Sequence, residues 1–118
     1  MFNTQHAKNK DGSVHVILTG ALDAAAAERF ETELETLLAE GVLFLVIDME
    51  NLHYLASAGL RVLLSGAKKG KKQGMEIVLC SLQPLVFSVF DSAGFTRIFP
   101  VFKSREEAHK SRHKGLPA

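Results

Sequence analysis

The stretch Val42–Lys72 reads VLFLVIDMENLHYLASAGLRVLLSGAKKGKK, and it carries the clearest strand and helix signals in the chain. It opens with an unbroken apolar run, Val42–Ile47, which is typical of a strand buried on both faces, as in a parallel sheet flanked by helices. Asp48 ends this run, and a polar connection follows it. From Leu60 onward the apolar residues recur at helical spacing. The pattern therefore predicts a central strand, a loop and a helix.

Ser57 lies at the junction between that loop and that helix, and Ala58 and Gly59 follow it. A serine in front of an apolar-periodic segment is typical of a helix N-cap, whose oxygen accepts a bond from a free N–H group and contributes ~1 kcal/mol. The same position also suits a phosphate, because a helix N-terminus offers unpaired N–H groups and positive potential to an anion. Spacing alone leaves both interpretations open, and no cluster of arginines near Ser57 favours the second.

The N-terminal part of the chain predicts two strands and a helix. Phe2–Lys8 is compatible with an edge strand, and Asn9–Gly12 predicts a tight turn because Asp-Gly supplies the positive φ such turns require. Ser13–Thr19 mostly alternates apolar and polar residues, as a strand does. Asp23 precedes a run of alanines and is the expected N-cap of a helix that extends to about Glu40.

After the Ser57 helix, strand and helix signals alternate again. Met75–Cys80 predicts a short buried strand. Pro84 suits the first turn of a helix, and Pro100 restricts the short strand Ile98–Val101 to an edge of the sheet. Ser104 is expected to start a last helix. The stripe predicted to anchor the Pro84 helix consists of Leu85, Val86, Val89 and Phe90, and the last helix spans Arg105–Arg112.

These elements predict an α/β fold with a small mixed β-sheet flanked by about four helices. The 118 residues are expected to form one domain, with a core at about 13–108 and a frayed tail at 113–118. A net charge of +1 argues against direct binding to nucleic acid or to a membrane surface. The single cysteine, Cys80, is expected to be buried, reduced and unreactive. No secretory signal or membrane-spanning run is present, so a cytoplasmic location is expected.

Catalytic patterns are scarce in the sequence. It contains no Gly-rich phosphate loop and no G-x-S-x-G nucleophile motif, so an enzyme is the weaker hypothesis. His109 and His113 have the spacing of a metal pair on a helix, but a solvated helix face is favoured because no third ligand accompanies them. No metal or other cofactor is expected. Four lysines, Lys68, Lys69, Lys71 and Lys72, are interpreted as complementing the negative end of a helix.

Three segments together resemble a known family. They are L-T-G-A-L-D at Leu18–Asp23, L-A-S-A-G-L-R-V-L-L at Leu55–Leu64 and F-D-S-A-G-F at Phe90–Phe95. With the apolar strand between the first two, this order is similar to the STAS domain, and more narrowly to the stand-alone bacterial anti-sigma factor antagonists. The resemblance covers about Ser13–Ala108.

The resemblance implies a function and a site. It implies that the protein binds an anti-sigma factor that is also a serine kinase, that the kinase phosphorylates Ser57, and that phosphorylation ends binding until a serine phosphatase removes the phosphate. Ser57 is then the phosphoacceptor, and the partner-binding residues are Asp23, Ala56, Ser57, Ala58 and Gly59. The fullest family motif is D-S-S-G-L, whereas this chain has A-S-A-G-L at Ala56–Leu60, so the acidic residue beside the acceptor is absent.

Two alternatives remain open. One keeps the fold but makes the protein a non-phosphorylated STAS binding module in a transporter or a signalling complex, and stable co-purification with such a complex would distinguish it. The other is a small enzyme or nucleotide-binding domain, which would require a pocket with convergent acid and base groups.

Overall fold

The structure, a computed structural model, describes residues 1–114, with the backbone alone for residues 113 and 114. Strands and helices alternate along most of this length, as the sequence predicts. The elements are β1 Phe2–Lys8, β2 Val14–Leu22, α1 Ala24–Ala39, β3 Phe44–Leu55, α2 Ser57–Gln73, β4 Glu76–Cys80, α3 Pro84–Ser92, a 3₁₀ turn Phe95–Arg97, β5 Val101–Phe102 and α4 Arg105–Lys114.

The described strands form one five-stranded mixed sheet in the order β1-β2-β3-β4-β5. β1 is antiparallel to β2, and the other neighbouring pairs are parallel. Right-handed crossovers that advance in one direction along a sheet place their helices on the same face. Accordingly, the buried residues of α1, α2 and α3 share one core with one face of the sheet. The predicted α/β fold with a mixed sheet and about four helices is confirmed.

β3 is the central strand, as its apolar run predicts. Phe44 is 2% exposed and Leu45 is fully buried. Leu45 belongs to the main core, whereas Phe44 lies in a second, smaller cluster that includes Ala108 of α4. Because neighbouring side chains of a strand point to opposite faces, this strand is covered on both sides, which explains the apolar residues from Phe44 to Ile47. The predicted start of the strand at Val42 is two residues early, and Leu43, which precedes β3, is 54% exposed.

β3 is longer than predicted, because it continues through the segment interpreted as a polar connection. Asn51 pairs with Thr19, and Leu55 pairs with Leu22 of β2. Leu52 and Leu55 are buried in the main core while exposed polar residues lie between them. The polar residues therefore belong to the open side of a strand, and the predicted end of the strand at Asp48 is wrong.

α3 begins with Pro84 at its first turn, as predicted, but its apolar stripe is only half right. Val86 and Phe90 are buried in the main core. Leu85 and Val89 are 78% and 39% exposed, so they do not anchor the helix.

The C-terminal elements lie near their predicted places. β5 is an edge strand, as predicted, but it spans Val101–Phe102 and not Ile98–Val101. The strand begins after Pro100 because proline has no N–H group to donate to a neighbouring strand. Ser104 caps α4 as predicted, since its hydroxyl accepts a bond from the Glu107 N–H at 3.1 Å. α4 includes residues 113 and 114, which the sequence assigns to a frayed tail, and the remaining tail residues 115–118 lie outside the described part of the chain.

Candidate functional site

The Ser57 site, defined as residues 55–60 together with Leu22 and Asp23, lies at the carboxyl edge of the parallel strands. β3 loses β4 as a neighbour after Asp48 but remains paired with β2 to the last residue of both strands. This extra length carries the Ser57 site beyond the end of β4. In open sheets with parallel strands, binding sites are typically located at this edge.

Two helices begin side by side at this site. The Ala56 N–H donates to the Leu22 carbonyl at 3.0 Å, which continues the β2–β3 contact by one step. Leu60 N–H then donates to the Ala56 carbonyl at 3.2 Å and starts the hydrogen bonding of α2. Asp23 is the N-cap of α1, as predicted, because its Oδ1 accepts a bond from Ala26 N–H at 2.9 Å. The N-termini of α1 and α2 are thus held together through the strands that precede them.

Ser57 is the first residue of α2 and not its N-cap, so the predicted capping role is wrong. Ala56 occupies the cap position with extended dihedral angles, φ −88° and ψ 165°, and it has no side-chain oxygen to offer. The shift arises because β3 runs to Leu55 and leaves only one residue between strand and helix. Ser57 is exposed, and no side chain or backbone group of the described residues hydrogen-bonds to its hydroxyl.

Gly59 allows the first turn of α2 to lie directly against the ends of β2 and β3. A Cβ atom at this position would be 2.8 Å from Leu22 Cγ and 2.9 Å from Leu55 Cδ1, which is closer than real Cβ atoms approach. The helix start is therefore fixed by backbone bonds and core packing. Ser57 is presented to solvent on a stiff support that does not depend on its own side chain.

The structure brings the predicted partner-binding residues together, but it exposes only some of them. Ser57 and Asp23 are exposed, Ala56 and Ala58 are half-buried, and Gly59 is buried. The three small residues shape the backbone, whereas the two polar residues are available for contact.

Tyr54 is an exposed aromatic residue beside the site that the sequence interpretation missed. It is 53% exposed, although an aromatic ring of this size is normally more buried. Exposed aromatic residues are over-represented at the centres of protein interfaces. The available signal is an aromatic residue within the stretch that the sequence interpretation assigns to a polar connection.

The start of α2 at the Ser57 site is suited to an anion. The first turn of α2 contains no acidic residue, and Asp23, the single carboxylate of the site, is engaged in capping α1. The unpaired N–H groups of a helix N-terminus attract anions. A phosphate on Ser57 Oγ would therefore be tolerated by the fold.

A second group of ionisable side chains lies beneath α4, on the opposite face of the sheet. Asp48 is 3% exposed, and its Oδ2 lies 3.5 Å from Nε of Arg105. His15 is buried, its Nε2 has no hydrogen-bond partner in the described part of the chain, and its ring meets that of His109 edge-on. Burial lowers the pKa of His15, and the cationic groups of Arg105 and His109 lower it further. These groups hold α4 on the sheet and lie away from the Ser57 site.

The loop before β2 is also tied to α4. Asp11 Oδ1 accepts bonds from the Ser13 hydroxyl at 2.6 Å and the Ser13 N–H at 3.0 Å, and these bonds hold the pKa of Asp11 well below its usual range. His109 Nε2 lies 2.9 Å from Asp11 Oδ2. Within residues 1–114 no group of three or more histidine, cysteine or acidic side chains is arranged to hold a metal ion. His109 thus contacts the Asp11 carboxylate in this structure, and the side chain of His113 lies outside the described residues.

Cys80 is fully buried in β4, as predicted from its apolar neighbours. Burial raises the pKa of its thiol to about 12. No helix in the described part of the chain is long and apolar enough to span a bilayer.

Comparisons with known proteins agree with this architecture. The model of the STAS domain matches residues 5–108. BtrV of Bordetella bronchiseptica, a protein named an anti-sigma factor antagonist, is 42% identical over 107 residues, which are 91% of this chain and 92% of BtrV.

Solved structures share the fold at lower sequence identity. The unphosphorylated anti-sigma factor antagonist SpoIIAA is 22% identical and has a TM-score of 0.73, and the match covers 97% of this chain and 100% of that one. The phosphorylated form of SpoIIAA from Bacillus gives a TM-score of 0.74 at 21% identity, over 92% of this chain and 98% of that one. The STAS domain of a SulP transporter from Vibrio cholerae gives 0.71 at 19% identity, over 92% of this chain and 86% of that domain. The family match over most of the chain, together with the identity to BtrV, shows that this chain belongs to the STAS-domain family, among relatives named anti-sigma factor antagonists.

Proposed function

We propose that this protein is an anti-sigma factor antagonist that binds an anti-sigma factor with serine kinase activity and is switched off by phosphorylation of Ser57. The observation that carries the proposal is the state of Ser57 itself. Its hydroxyl makes no capping bond, its residue is exposed, and its backbone is fixed at a helix N-terminus. A side chain that makes no capping bond to its own helix and is exposed to solvent is well suited to modification.

The switch follows from charge. Phosphorylation adds ≈ −1.5 to −2 charges at the first residue of α2. Within the protein this charge faces the positive helix end, which favours it by roughly 0.3–1 kcal/mol, so the fold is retained. In a partner interface centred on Ser57 the same charge would lose its water without gaining a cation. A penalty of ~3 kcal/mol corresponds to roughly a hundredfold weaker binding.

The predicted partner-binding residues contribute to binding in different ways. Ser57 and Asp23 supply polar contacts, and the half-buried small residues Ala56 and Ala58 let a partner approach the helix start. Gly59 is buried against Leu22 and Leu55, so it contributes by fixing the position of that helix start. In this proposal the protein acts in the cytoplasm, a serine phosphatase restores Ser57, and no catalytic step is assigned to the protein itself.

Ser92 provides the internal control, because it lies in the similar tripeptide Ser92-Ala93-Gly94 and is also exposed. It is the last residue of α3, at the negative end of a helix. A phosphate there would be repelled by the negative end of the α3 dipole. Ser57 and Ser92 thus have the same local sequence, Ser-Ala-Gly, but lie at opposite ends of their helix dipoles.

The test is incubation with the kinase encoded nearby in its genome and ATP, followed by mass spectrometry and calorimetric measurement of binding. We expect one phosphate on the unmodified chain and on Ser92→Ala, and none on Ser57→Ala. Ser57→Ala should bind the partner as well as the unmodified chain does, and Ser57→Asp should bind more weakly. Unchanged phosphorylation of Ser57→Ala would refute the switch. A STAS binding module without phosphorylation, stably co-purifying with a transporter or signalling complex, would then be the better description.

A further inference from the structure

A groove runs between the last turns of α2 and the segment that precedes β5. Its volume is about 810 Å³. This lies in the range of sites that bind small molecules, roughly 300–1,000 Å³. The apolar part of its lining consists of Leu64, Ala67, Met75, Ile77, Ile98 and Phe99. Ile98 is 47% exposed and Leu64 and Ala67 are half-buried, so these side chains form the open part of the apolar lining. Met75, Ile77 and Phe99 are buried beneath them.

Three cations line the same groove. Lys68 and Lys71 are three residues apart and therefore lie on one side of α2, and Arg97 comes from the 3₁₀ turn on the other wall. None of the three forms an ion pair with another described residue. Lys69, between them in sequence, does pair with Glu35 of α1 at 3.5 Å. Glu76 is the one acidic residue in the lining.

Helix electrostatics do not account for this arrangement. Basic residues in a last turn suit the negative end of a helix, which covers Lys71 in α2 and Arg97 in its short 3₁₀ turn, but not Lys68. Nor does it explain why cations from two separate elements line one groove. Two of the four carbonyl groups in the last turn of α2 are also occupied. Gly70 O accepts a bond from Met75 N–H at 2.7 Å, and Lys71 O accepts one from Gly74 N–H at 3.3 Å. The helix end therefore presents few free acceptors to oppose an anion in the groove.

We infer that this groove binds a small amphiphilic anion, an alkyl chain with a carboxylate head such as a free fatty acid. The chain would lie on the apolar lining, and the head would be bound among Lys68, Lys71 and Arg97. The site lies about 20 Å along α2 from Ser57, by the rise of a helix over the intervening residues. It is therefore distinct from the surface assigned to the partner, and its existence does not depend on the proposed phosphorylation.

The test uses decanoate and decyltrimethylammonium as matched probes, each below its micelle-forming concentration, with ¹⁵N-labelled full-length protein. Both probes have the same tail and opposite head charges. We expect decanoate to shift the amide signals of Lys68, Lys71, Ile77 and Arg97, and decyltrimethylammonium to bind at least about tenfold more weakly. Equal binding of the two probes would overturn the proposal, as would decanoate shifts confined to other regions.

Two double variants provide a matched control. Lys68→Glu/Lys71→Glu and Lys69→Glu/Lys72→Glu change the net charge equally on the same helix, but only the first pair lines the groove. We expect the first to weaken decanoate binding at least about tenfold and the second to leave it within about twofold. Equal losses would reduce the effect to non-specific attraction and refute the site. Ile98→Gln, at an exposed position, should also weaken decanoate binding while preserving Tm.

Vesicles containing phosphatidylglycerol distinguish a free amphiphile from a membrane surface. We expect no co-flotation of the protein with such vesicles. Co-flotation without a site-specific response to decanoate would show that a lipid surface, and not a free amphiphile, is recognised, and would overturn the inference.

Discussion

Ala56→Asp is expected to stabilise this protein, because α2 begins without a side-chain cap. Ala56 already has the extended dihedral angles of an N-cap, and no oxygen is available at that position to accept a first-turn N–H group. Replacing alanine by aspartate at an N-cap contributes about 1 kcal/mol, within a range of roughly 0.5–2. For 118 residues, about 2.1 cal/mol/K of unfolding entropy per residue gives about 0.25 kcal/mol/K in all. The expected increase in Tm is therefore about 4 °C.

Calorimetry and urea unfolding would measure this change, with three companion variants. Ala56→Asn caps about as well without adding charge. The difference in free energy of unfolding between Ala56→Asp and Ala56→Asn therefore measures the net effect of the added charge, which is repelled by Asp23 and attracted to the positive helix end. Asp23→Ala removes an existing cap and should cost about 1 kcal/mol. Ser57→Ala should leave the free energy of unfolding within about 0.5 kcal/mol of its original value, since no bond is lost. If Ser57→Ala instead costs about 1 kcal/mol and Ala56→Asp gains nothing, Ser57 is the cap and the reasoning fails.

Three further predictions concern the supports of the sheet. Gly59→Ala should destabilise the protein, because overpacking against Leu22 and Leu55 costs about 1–3 kcal/mol and exceeds the gain of up to ~1 kcal/mol in helix propensity; a higher Tm would contradict the contact distances. The Cys80 thiol, with its pKa raised to about 12, should react with a thiol reagent only at the rate of unfolding, and rapid labelling of the native protein would contradict its burial. Because the pKa of His15 is lowered in the folded state, His15 takes up a proton first in the unfolded chain as the pH falls through 6.5. The contribution of His15 to the free energy of unfolding should therefore be full above that pH and decline below it. His15→Leu should have a flatter pH dependence there, which unfolding measured at several pH values would check.

The parts of the fold that the sequence could predict are those in which neighbouring residues carry the signal. Phe44–Ile47 is apolar without interruption because both faces of its strand are covered, and Asp23 lies directly before the helix that it caps. The cap of α2 could not be predicted in the same way. Whether Ala56 or Ser57 occupies that position depends on how far β3 continues, and pairing with β2, more than thirty residues earlier in the chain, decides this.

Contacts between distant segments explain the other differences. Leu85 and Val89 fit a helical stripe equally well whether or not another element covers them, and no described element does. The buried Asp48 has its cationic partner, Arg105, in the last helix. An apolar period shows that a residue is suited to burial, but which segment covers it is a property of the assembled sheet.

The spatial order of the strands is the same as their order along the chain, and this has a consequence for synthesis. Each new strand leaving the ribosome can add to the edge formed by the one before it, and none has to be inserted between two that are already paired. Long-range pairings that must wait for distant segments slow folding and prolong the exposure of open edges. Here most of the sheet and the helices on its main face can form as the chain is made. Phe44, Val46 and Val78 on the other face remain uncovered until α4 has been synthesised. By covering these apolar side chains, α4 removes a surface through which partly folded chains could aggregate.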